Sequence, residues 1–343
     1  MSIHTGPAFL LAADVGGTHA SFALGRRDAD GVRLLLECAY PSQDFPDFAS
    51  ALECFLATPE AVAARPHLVA TCFAVAGPVA EGAATLTNLG WQVDAATIAA
   101  RFGLQKVSLL NDFHAAGLGV TLLPPSSLVT LQAAEAEEHG TAVIIGAGTG
   151  LGVGVITWDG ARYRVLPSEA GHADFAATDE LQDRLLIYMR RNFVRASWER
   201  VISGPGLMRV FSFLQDSGLG VPSRQLLEAT KRPGVDQAEV ISEYALAKLD
   251  PLAVRALDLF IAAYGSFAGN MALTALARGG VYIAGGIAPR IINRLKDGGF
   301  MRSFSKKGAF TALLSGIPVR VVMDKQVGLL GALHAAGQDL AHL

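Results

Sequence analysis

The sequence has little cysteine, no concentration of positive charge and no long apolar run near its beginning. Its three cysteines, Cys38, Cys54 and Cys72, lack CxxC spacing, which argues against a zinc site or a disulfide framework and favours a cytoplasmic location. The net charge is −3 and no helix-turn-helix or zinc-finger pattern is present, so we do not expect nucleic acid as a partner. The first apolar run lacks a preceding basic region and stops at Asp14, which argues against a signal peptide.

A single later stretch, "LFIAAYGSFAGNMALTALA" at residues 259–277, is long and apolar enough to consider as a membrane span. Asn270 interrupts it, and Arg255, Asp258 and Arg278 flank it. We therefore expect a buried central helix and no membrane partner.

Glycine and apolar residues are abundant. The chain has 343 residues, of which 51% are hydrophobic and 37 are glycine, which predicts two α/β domains with many tight turns. Strands are predicted at "FLLAADVGG", "THASFALGR", "VRLLLECAY", "LVATCFAVAG" and "VSLL", with helices over residues 45–56 and at "FHAAGLGV".

A second half begins in the same manner, with strand, glycine turn and strand in "AVIIGAGTGLGVGVIT". A mostly helical region follows over residues 181–276, and then come the strands "GGVYIAGGIAP" and "IPVRVVMD" and the terminal helix "GLLGALHAA". The sequence therefore predicts two related halves, each with a mixed α/β sheet.

Three glycine turns follow predicted strands and could hold phosphate groups, because glycine lets backbone N–H groups approach an anion closely. Each could instead be a plain turn, and the second lacks the lysine of a Walker P-loop. The residues concerned are Asp14, Gly16, Gly17 and Thr18 in "DVGGT", Gly148, Thr149 and Gly150 in "GAGTGLG", and Gly285 and Gly286 in "AGGIAP".

The pair Asn111 and Asp112 ends an apolar strand, where a buried charge is costly. One interpretation is that the pair caps the following helix. The other is that the Asp112 carboxylate accepts a proton in a reaction.

Further polar side chains lie on predicted loops. Glu169 and His172 in "SEAGHADF" could recognise vicinal hydroxyls or form an ordinary surface loop, and Glu199 in "WERVISGPGL" could be a ligand or an exposed helix residue. Asn88 in "TNLGW" is compatible with a sugar-facing edge.

The ordered set DVGGT, TNLGW, LLNDF, GAGTGLGVGV, SEAGHADF, ERVISGPGL, GGVYIAGGI and GLLGA resembles bacterial ATP-dependent glucokinases of the hexokinase/actin-like ATPase superfamily. The resemblance spans nearly the whole chain, including "FMRSFSKKGAF". It does not extend to the zinc-containing repressor/kinase branch, whose cysteine cluster is missing here.

This resemblance implies an α/β, ribonuclease-H-like fold in two domains with a cleft between them. We expect residues 1–122 plus 323–343 to form the small domain and residues 123–322 the large one. It also implies a cytoplasmic homodimer that phosphorylates the 6-hydroxyl of glucose with ATP and Mg²⁺ in the first step of glycolysis.

Site roles are likewise implied by the resemblance. Asp112 matches the catalytic base, and the sugar-binding positions match Asn111, Asp112, Glu169, His172 and Glu199. The first two glycine turns match the phosphate loops and Gly285-Gly286 the adenosine-side turn. No metal site held directly by the protein is implied, since Mg²⁺ would come with ATP near Asp14.

Several positions depart from the family pattern, mainly on the nucleotide side. His19 and Ser21 stand where the family has asparagine and arginine, and "SEAGH" and "QVGLLG" replace GEGGH and NPGLLG. Three alternatives stay open: a sugar sensor without turnover, a kinase for another hexose, and an actin-like structural ATPase.

Overall fold

The structure, a computed structural model, describes residues 8–28, 31–86 and 89–338. The strands are β1 (Ala8–Val15), β2 (His19–Asp28), β3 (Gly31–Pro41), β4 (Leu68–Val75), β5 (Val79–Ala80), β6 (Ala83–Leu86), β7 (Trp91–Asp94), β8 (Val107–Asn111), β9 (Leu128–Gln132), β10 (Ala142–Ala147), β11 (Leu151–Trp158), β12 (Tyr163–Ser168), β13 (Gly280–Ala284) and β14 (Val319–Val322).

The helices alternate with these strands in the first half and dominate the second. They are α1 (Phe48–Leu56), α2 (Pro59–Ala64), α3 (Ala95–Phe102), α4 (Asp112–Val120), α5 (Glu180–Asn192), α6 (Gly204–Asp216), α7 (Arg224–Thr230), α8 (Gln237–Leu246), α9 (Pro251–Thr274), α10 (Ile287–Arg290), α11 (Ile292–Lys296), α12 (Gly299–Ser305), α13 (Thr311–Ser315) and α14 (Val327–Gln338).

The chain divides into two compact units. The first comprises residues 1–124, 163–167 and 326–343, and the second residues 125–162 and 168–325. The first unit therefore includes residues 163–167, which the sequence-based boundaries assign to the large domain. Those boundaries stay a prediction.

Both units are built on the same sheet plan. The first sheet has the order β3-β2-β1-β4-β8, in which β1 and β2 form an antiparallel hairpin and β4 and β8 run parallel to β1. In the second unit β10 and β11 form the hairpin and β13 and β14 continue in parallel, with β9 antiparallel at the edge. The predicted recurrence of the glycine hairpin is thereby confirmed.

The predicted strands and helices are present, and helix ends follow local capping. The helix expected over residues 45–56 begins at Phe48, because the Asp47 side chain accepts a 2.7 Å hydrogen bond from the Ser50 N–H and caps it. The small sheet β5-β6-β7 and the helix α3 were not predicted. Their segments are short, because α3 has eight residues and the strands β5, β6 and β7 have two, four and four.

The central helix α9 is buried, as the sequence predicts. Among the described residues it is the one helix long and apolar enough to span a membrane, but 78% of its apolar window is buried inside the protein. It packs closely on α12, since a Cβ atom at Gly265 would lie 2.1 Å from the carbonyl oxygen of Phe300.

In the first unit, α14 packs tightly on α4. A Cβ atom at Gly331 would lie 1.8 Å from the carbonyl oxygen of Ala115, so the two backbones approach each other directly. Because α4 begins at Asp112 and α14 also packs on the central strand β1, this contact fixes the start of α4 relative to the sheet.

Candidate active site

The first glycine turn joins β1 to β2 and is held from below by Ser42. The Gly16 N–H donates to the carbonyl oxygen of His19 at 2.9 Å. The fully buried Ser42 donates its N–H to the Thr18 carbonyl at 2.9 Å and its hydroxyl to the Gly16 carbonyl at 3.0 Å. Gly17 and Thr18 themselves are exposed, so the tip of the turn is rigid and accessible.

Asn111 is the N-cap of α4. Its Oδ1 accepts hydrogen bonds from the N–H groups of Phe113 and His114, at 3.0 and 3.2 Å, and its Nδ2 donates to the Gly77 carbonyl at 3.0 Å. The capping interpretation therefore holds for Asn111. Only the second hydrogen of Nδ2 is left over from these bonds, which limits what this side chain can offer a ligand.

Asp112 is the first residue of α4, at the positive end of the helix dipole. Its Oδ1 accepts a 2.9 Å hydrogen bond from the Phe113 N–H. This hydrogen bond orients the carboxylate, and an oriented carboxylate is suited to accept a proton.

Asp14 lies near Asp112 within the first unit. Burial, and after it the charge of Asp112, raises the pKa of Asp14 to about 7. The Asp14 carboxylate packs against the backbone at the start of α14, where a Cβ atom at Gly328 would lie 2.3 Å from Oδ2. Two neighbouring carboxylates provide the hard oxygen donors that Mg²⁺ prefers, so this donor set fits a magnesium ion.

In the second unit Glu169, His172 and Glu199 lie together. His172 Nε2 is 3.9 Å from Glu169 Oε2, and His172 Nδ1 is 3.8 Å from Glu199 Oε1. The side chains of Glu169 and His172 are largely exposed, whereas that of Glu199 is about one-third exposed. Two carboxylates flanking an imidazole offer acceptors and a donor for neighbouring hydroxyl groups.

This cluster is assembled by contacts between distant segments. The Glu199 N–H donates to the Gly171 carbonyl and the Trp198 N–H to the Ala173 carbonyl, at 2.9 and 3.0 Å. Arg195 fixes the first segment further, because it donates to the His172 carbonyl at 2.9 Å and pairs with Asp174. The backbone therefore brings Glu199 to His172.

The second glycine turn is tied to the same cluster. Glu199 Oε2 accepts a 3.1 Å hydrogen bond from the Leu151 N–H, immediately after the turn. The Gly148 carbonyl accepts from the Gly204 N–H at 2.8 Å, which links the turn to the start of α6. The sugar-side and phosphate-side candidates of this unit thus share one hydrogen-bonded framework.

The third glycine turn adjoins the second, because β10 and β13 are parallel neighbours. A Cβ atom at Gly285 would lie 2.5 Å from the Ala147 carbonyl oxygen, whereas one at Gly148 or Gly286 would meet no atom within 4 Å. Open space therefore lies over Gly148 and Gly286, as an approaching nucleotide requires.

Sequence reasoning missed the residues that support these turns. They are Ser42 under the first turn, Tyr264, whose hydroxyl accepts from the Ala147 N–H and donates to the Ile145 carbonyl, and Ser203, which caps α6. Polarity inside an apolar stretch was the available signal for Tyr264 and Ser203. Asn88 lies outside the described residues.

Each unit thus gathers its own part of the candidate site. The first holds Asp14, the Gly16–Thr18 turn, Asn111 and Asp112, and the second holds the turns at Gly148–Gly150 and Gly285–Gly286 with the Glu169, His172 and Glu199 cluster. In the described ranges, no group of three or more histidine, cysteine, aspartate or glutamate side chains is arranged so that it could hold a metal ion.

Known proteins share this fold over nearly the whole chain. The crystal structure of glucokinase from an Antarctic psychrotroph is 31% identical, with a TM-score of 0.81, and the match covers 96% of this chain and 99% of that one. A ROK family glucokinase from Streptomyces griseus, solved with glucose and AMPPNP, has the same fold at 22% identity, with a TM-score of 0.62 and coverage of 97% and 100%. The fold is therefore that of the actin-like sugar kinases, as the sequence predicts.

Comparison with relatives of similar sequence shows which family of sugar kinases the chain belongs to. A glucokinase from Nostoc sp. is 40% identical over 96% of this chain and 99% of its own, and one from Hahella chejuensis is 35% identical over 97% and 98%. A family model described as Glucokinase matches residues 11–339. The chain belongs to the glucokinase family.

Proposed function

We propose that this chain transfers the γ-phosphoryl group of ATP to the 6-hydroxyl of glucose, giving glucose 6-phosphate and ADP. The observation that carries the proposal is the convergence of Glu169, His172 and Glu199 beside the second glycine turn, in a chain of the glucokinase family. A structural ATPase has no use for such a hydroxyl-binding cluster.

Glu169, His172 and Glu199 bind the sugar hydroxyls, and Asp112 takes the proton of the 6-hydroxyl as this oxygen attacks phosphorus. General-base assistance of this kind is worth about 10²–10⁴-fold in rate. Asn111 holds Asp112 at the start of α4, and its remaining Nδ2 hydrogen is available to the sugar.

The nucleotide is held by backbone groups of the glycine turns. Gly16, Gly17, Thr18, Gly148, Thr149 and Gly150 face the phosphates, and Gly285 and Gly286 the adenosine side. Asp14, with Asp112 nearby, would hold the Mg²⁺ that arrives with ATP, and this ion would neutralise phosphate charge. We propose further that the enzyme is a cytoplasmic homodimer at the entry to glycolysis, on the family resemblance.

The test measures formation of glucose 6-phosphate from ATP, Mg²⁺ and glucose with a coupled dehydrogenase. Its matched control replaces glucose with 6-deoxyglucose, which keeps the other hydroxyls and lacks the acceptor. We expect product from glucose and none from 6-deoxyglucose. We also expect 6-deoxyglucose to inhibit the phosphorylation of glucose competitively. Glucose binding without any product would contradict the proposal and favour a sensor, and faster turnover of mannose or glucosamine would favour another hexose.

A further inference from the structure

Two arginines of the second unit share one aromatic ring. The guanidinium carbon of Arg200 lies 4.2 Å from the centroid of the Phe193 ring, and that of Arg209 lies 5.3 Å from the same centroid. Phe193 is the C-cap of α5, Arg200 lies in the turn before α6, and Arg209 lies on α6. Three separate segments therefore bring two like charges close together.

This arrangement is electrostatically unfavourable as it stands. Within the described part of the chain neither guanidinium has a carboxylate partner, and Arg209 makes one long hydrogen bond, of 3.4 Å, to the Arg200 carbonyl. Burial, and after it the charge of Arg200, lowers the pKa of Arg209, and Glu199 acts in the opposite direction.

Glu199 does not neutralise the pair. Its Oε2 accepts from the Leu151 N–H, and its Oε1 lies 3.8 Å from His172. Arg195, the arginine that precedes Arg200 in the sequence, is paired with Asp174 instead. Among the described residues, Glu199 therefore offsets only part of the positive charge at Phe193, and no ion pair to Arg200 or Arg209 is formed.

Unlike ordinary surface charges, the two arginine side chains are held in fixed positions. Phe193, Arg200 and Arg209 are all partly buried, and ring stacking holds both side chains in place. Guanidinium groups held in this way lose little entropy on binding and match the oxygens of a phosphate in paired hydrogen bonds.

We propose that Arg200 and Arg209, ordered on the Phe193 ring, form a binding site for a small phosphate dianion, either inorganic phosphate or the phosphate group of a phosphorylated metabolite. Both guanidinium groups lie against one ring, and Arg209 also reaches the Arg200 carbonyl at 3.4 Å, so the two arginines line the same small region of the surface. Arg200 directly follows Glu199 in the chain. Phosphate bound at this site therefore acts on the backbone segment that positions Glu199 in the sugar-binding cluster.

The experiment titrates the full-length chain with inorganic phosphate and, separately, with glucose 6-phosphate in a calorimeter, without nucleotide. We expect Arg200→Gln and Arg209→Gln each to weaken phosphate binding at least tenfold. The matched control Arg191→Gln removes an exposed charge at the end of α5 and should change the affinity less than twofold.

Two further variants test whether weaker phosphate binding results from loss of the ordered arginine pair, and not from loss of net charge or from misfolding. Phe193→Leu removes no charge, yet should weaken phosphate binding several-fold because both arginines lose their support. Arg209→Lys keeps the charge and the fold and should still lose several-fold. Thermal unfolding of each variant checks that the fold persists.

The outcomes are decisive in both directions. Equal affinity for the two probes identifies the phosphate group alone as the ligand. Tighter binding of the ester identifies a phosphorylated sugar only where Arg200→Gln and Arg209→Gln remove the difference, because glucose 6-phosphate can also bind the sugar-binding cluster. Absence of binding, or binding that is insensitive to positions 200 and 209, overturns the inference. Because the readout is binding and not turnover, failure of the proposed kinase activity would leave this result unaffected.

Discussion

The carbonyl oxygen of Leu151 lies directly against Gly171, so that a Cβ atom at position 171 would be 2.0 Å from it. The Leu151 N–H holds Glu199 Oε2, and the Gly171 carbonyl accepts from the Glu199 N–H. One close contact between two backbones thus sets the distance between the second glycine turn and the sugar-binding cluster.

Gly171→Ala should therefore damage sugar binding and stability together. The added methyl group forces the two backbones apart, which typically costs about 1–3 kcal/mol. We expect the Kd for glucose, measured by calorimetry, to rise at least tenfold as His172 and Glu199 separate.

Gly204→Ala is the matched control for this substitution. A Cβ atom at Gly204 would meet its neighbours at 3.6 Å or more, which is ordinary contact, although Gly204 also bonds to the second turn. Gly204→Ala should leave the Kd for glucose within about twofold of that of the parent chain. Equal losses in both variants would show that glycine is needed here for reasons other than this contact.

The local parts of the site could be read from the sequence, and the distant contacts could not. The glycine turns and the start of α4 at Asn111 depend on residues adjacent in the chain. Glu169 and His172 are three residues apart, but the approach of Glu199 depends on pairing between residues 171–173 and 198–199. No periodic pattern records that pairing.

Ser42 illustrates the same limit within the first unit. It lies 26 residues from Gly16, whose carbonyl it binds, and its neighbours form a short, irregular segment. The alternation of strands and helices was sufficient to predict mixed α/β sheets, whereas the ribonuclease-H-like fold was implied by the family resemblance. Residues that support the glycine turns, such as Ser42, are brought into place by tertiary packing. Local sequence patterns therefore do not predict them.

Asp112→Asn should abolish most of the turnover and leave the fold intact. The amide keeps the size of the side chain but cannot accept the proton of the 6-hydroxyl. We expect kcat to fall about 10²–10⁴-fold while the Kd for glucose changes little. Coupled kinetics and calorimetry measure the two quantities separately.

The control for Asp112 is Glu180→Gln, which removes the carboxylate from the first residue of α5. Any effect of losing a negative charge at a helix start is common to both variants, whereas proton transfer is lost only at position 112. Retention of kcat in Asp112→Asn would contradict the assignment of the base.

Asn111→Ala should reduce both stability and kcat, because the same side chain caps α4 and orients Asp112. Loss of such a cap costs about 1 kcal/mol. Asp236 caps α8 with the same pattern, accepting from the N–H groups of Ala238 and Glu239. Asp236→Ala should lower the unfolding temperature to a similar extent and leave kcat unchanged.

Asp14 gives a pH dependence of stability with a definite sign. Its pKa of about 7 in the folded chain exceeds the value of 3.8 expected for a free carboxyl group. Between these values the folded state retains a proton that the unfolded state has lost. The contribution of Asp14 to the free energy of unfolding therefore falls as pH rises through this window, by roughly 2–4 kcal/mol in total.

Asp14→Asn should remove this loss, because an amide resembles the protonated carboxyl group at every pH. We expect the variant to gain unfolding temperature relative to the parent at pH 8 and to differ less from it at pH 5, with EDTA present to exclude cations. Asp47→Asn is the matched control, since hydrogen bonds from Ser50 lower the pKa of Asp47 and place its titration below this window. An equal difference between the parent chain and Asp14→Asn at pH 5 and pH 8 would show that Asp14 does not change its protonation in this window and would contradict its raised pKa.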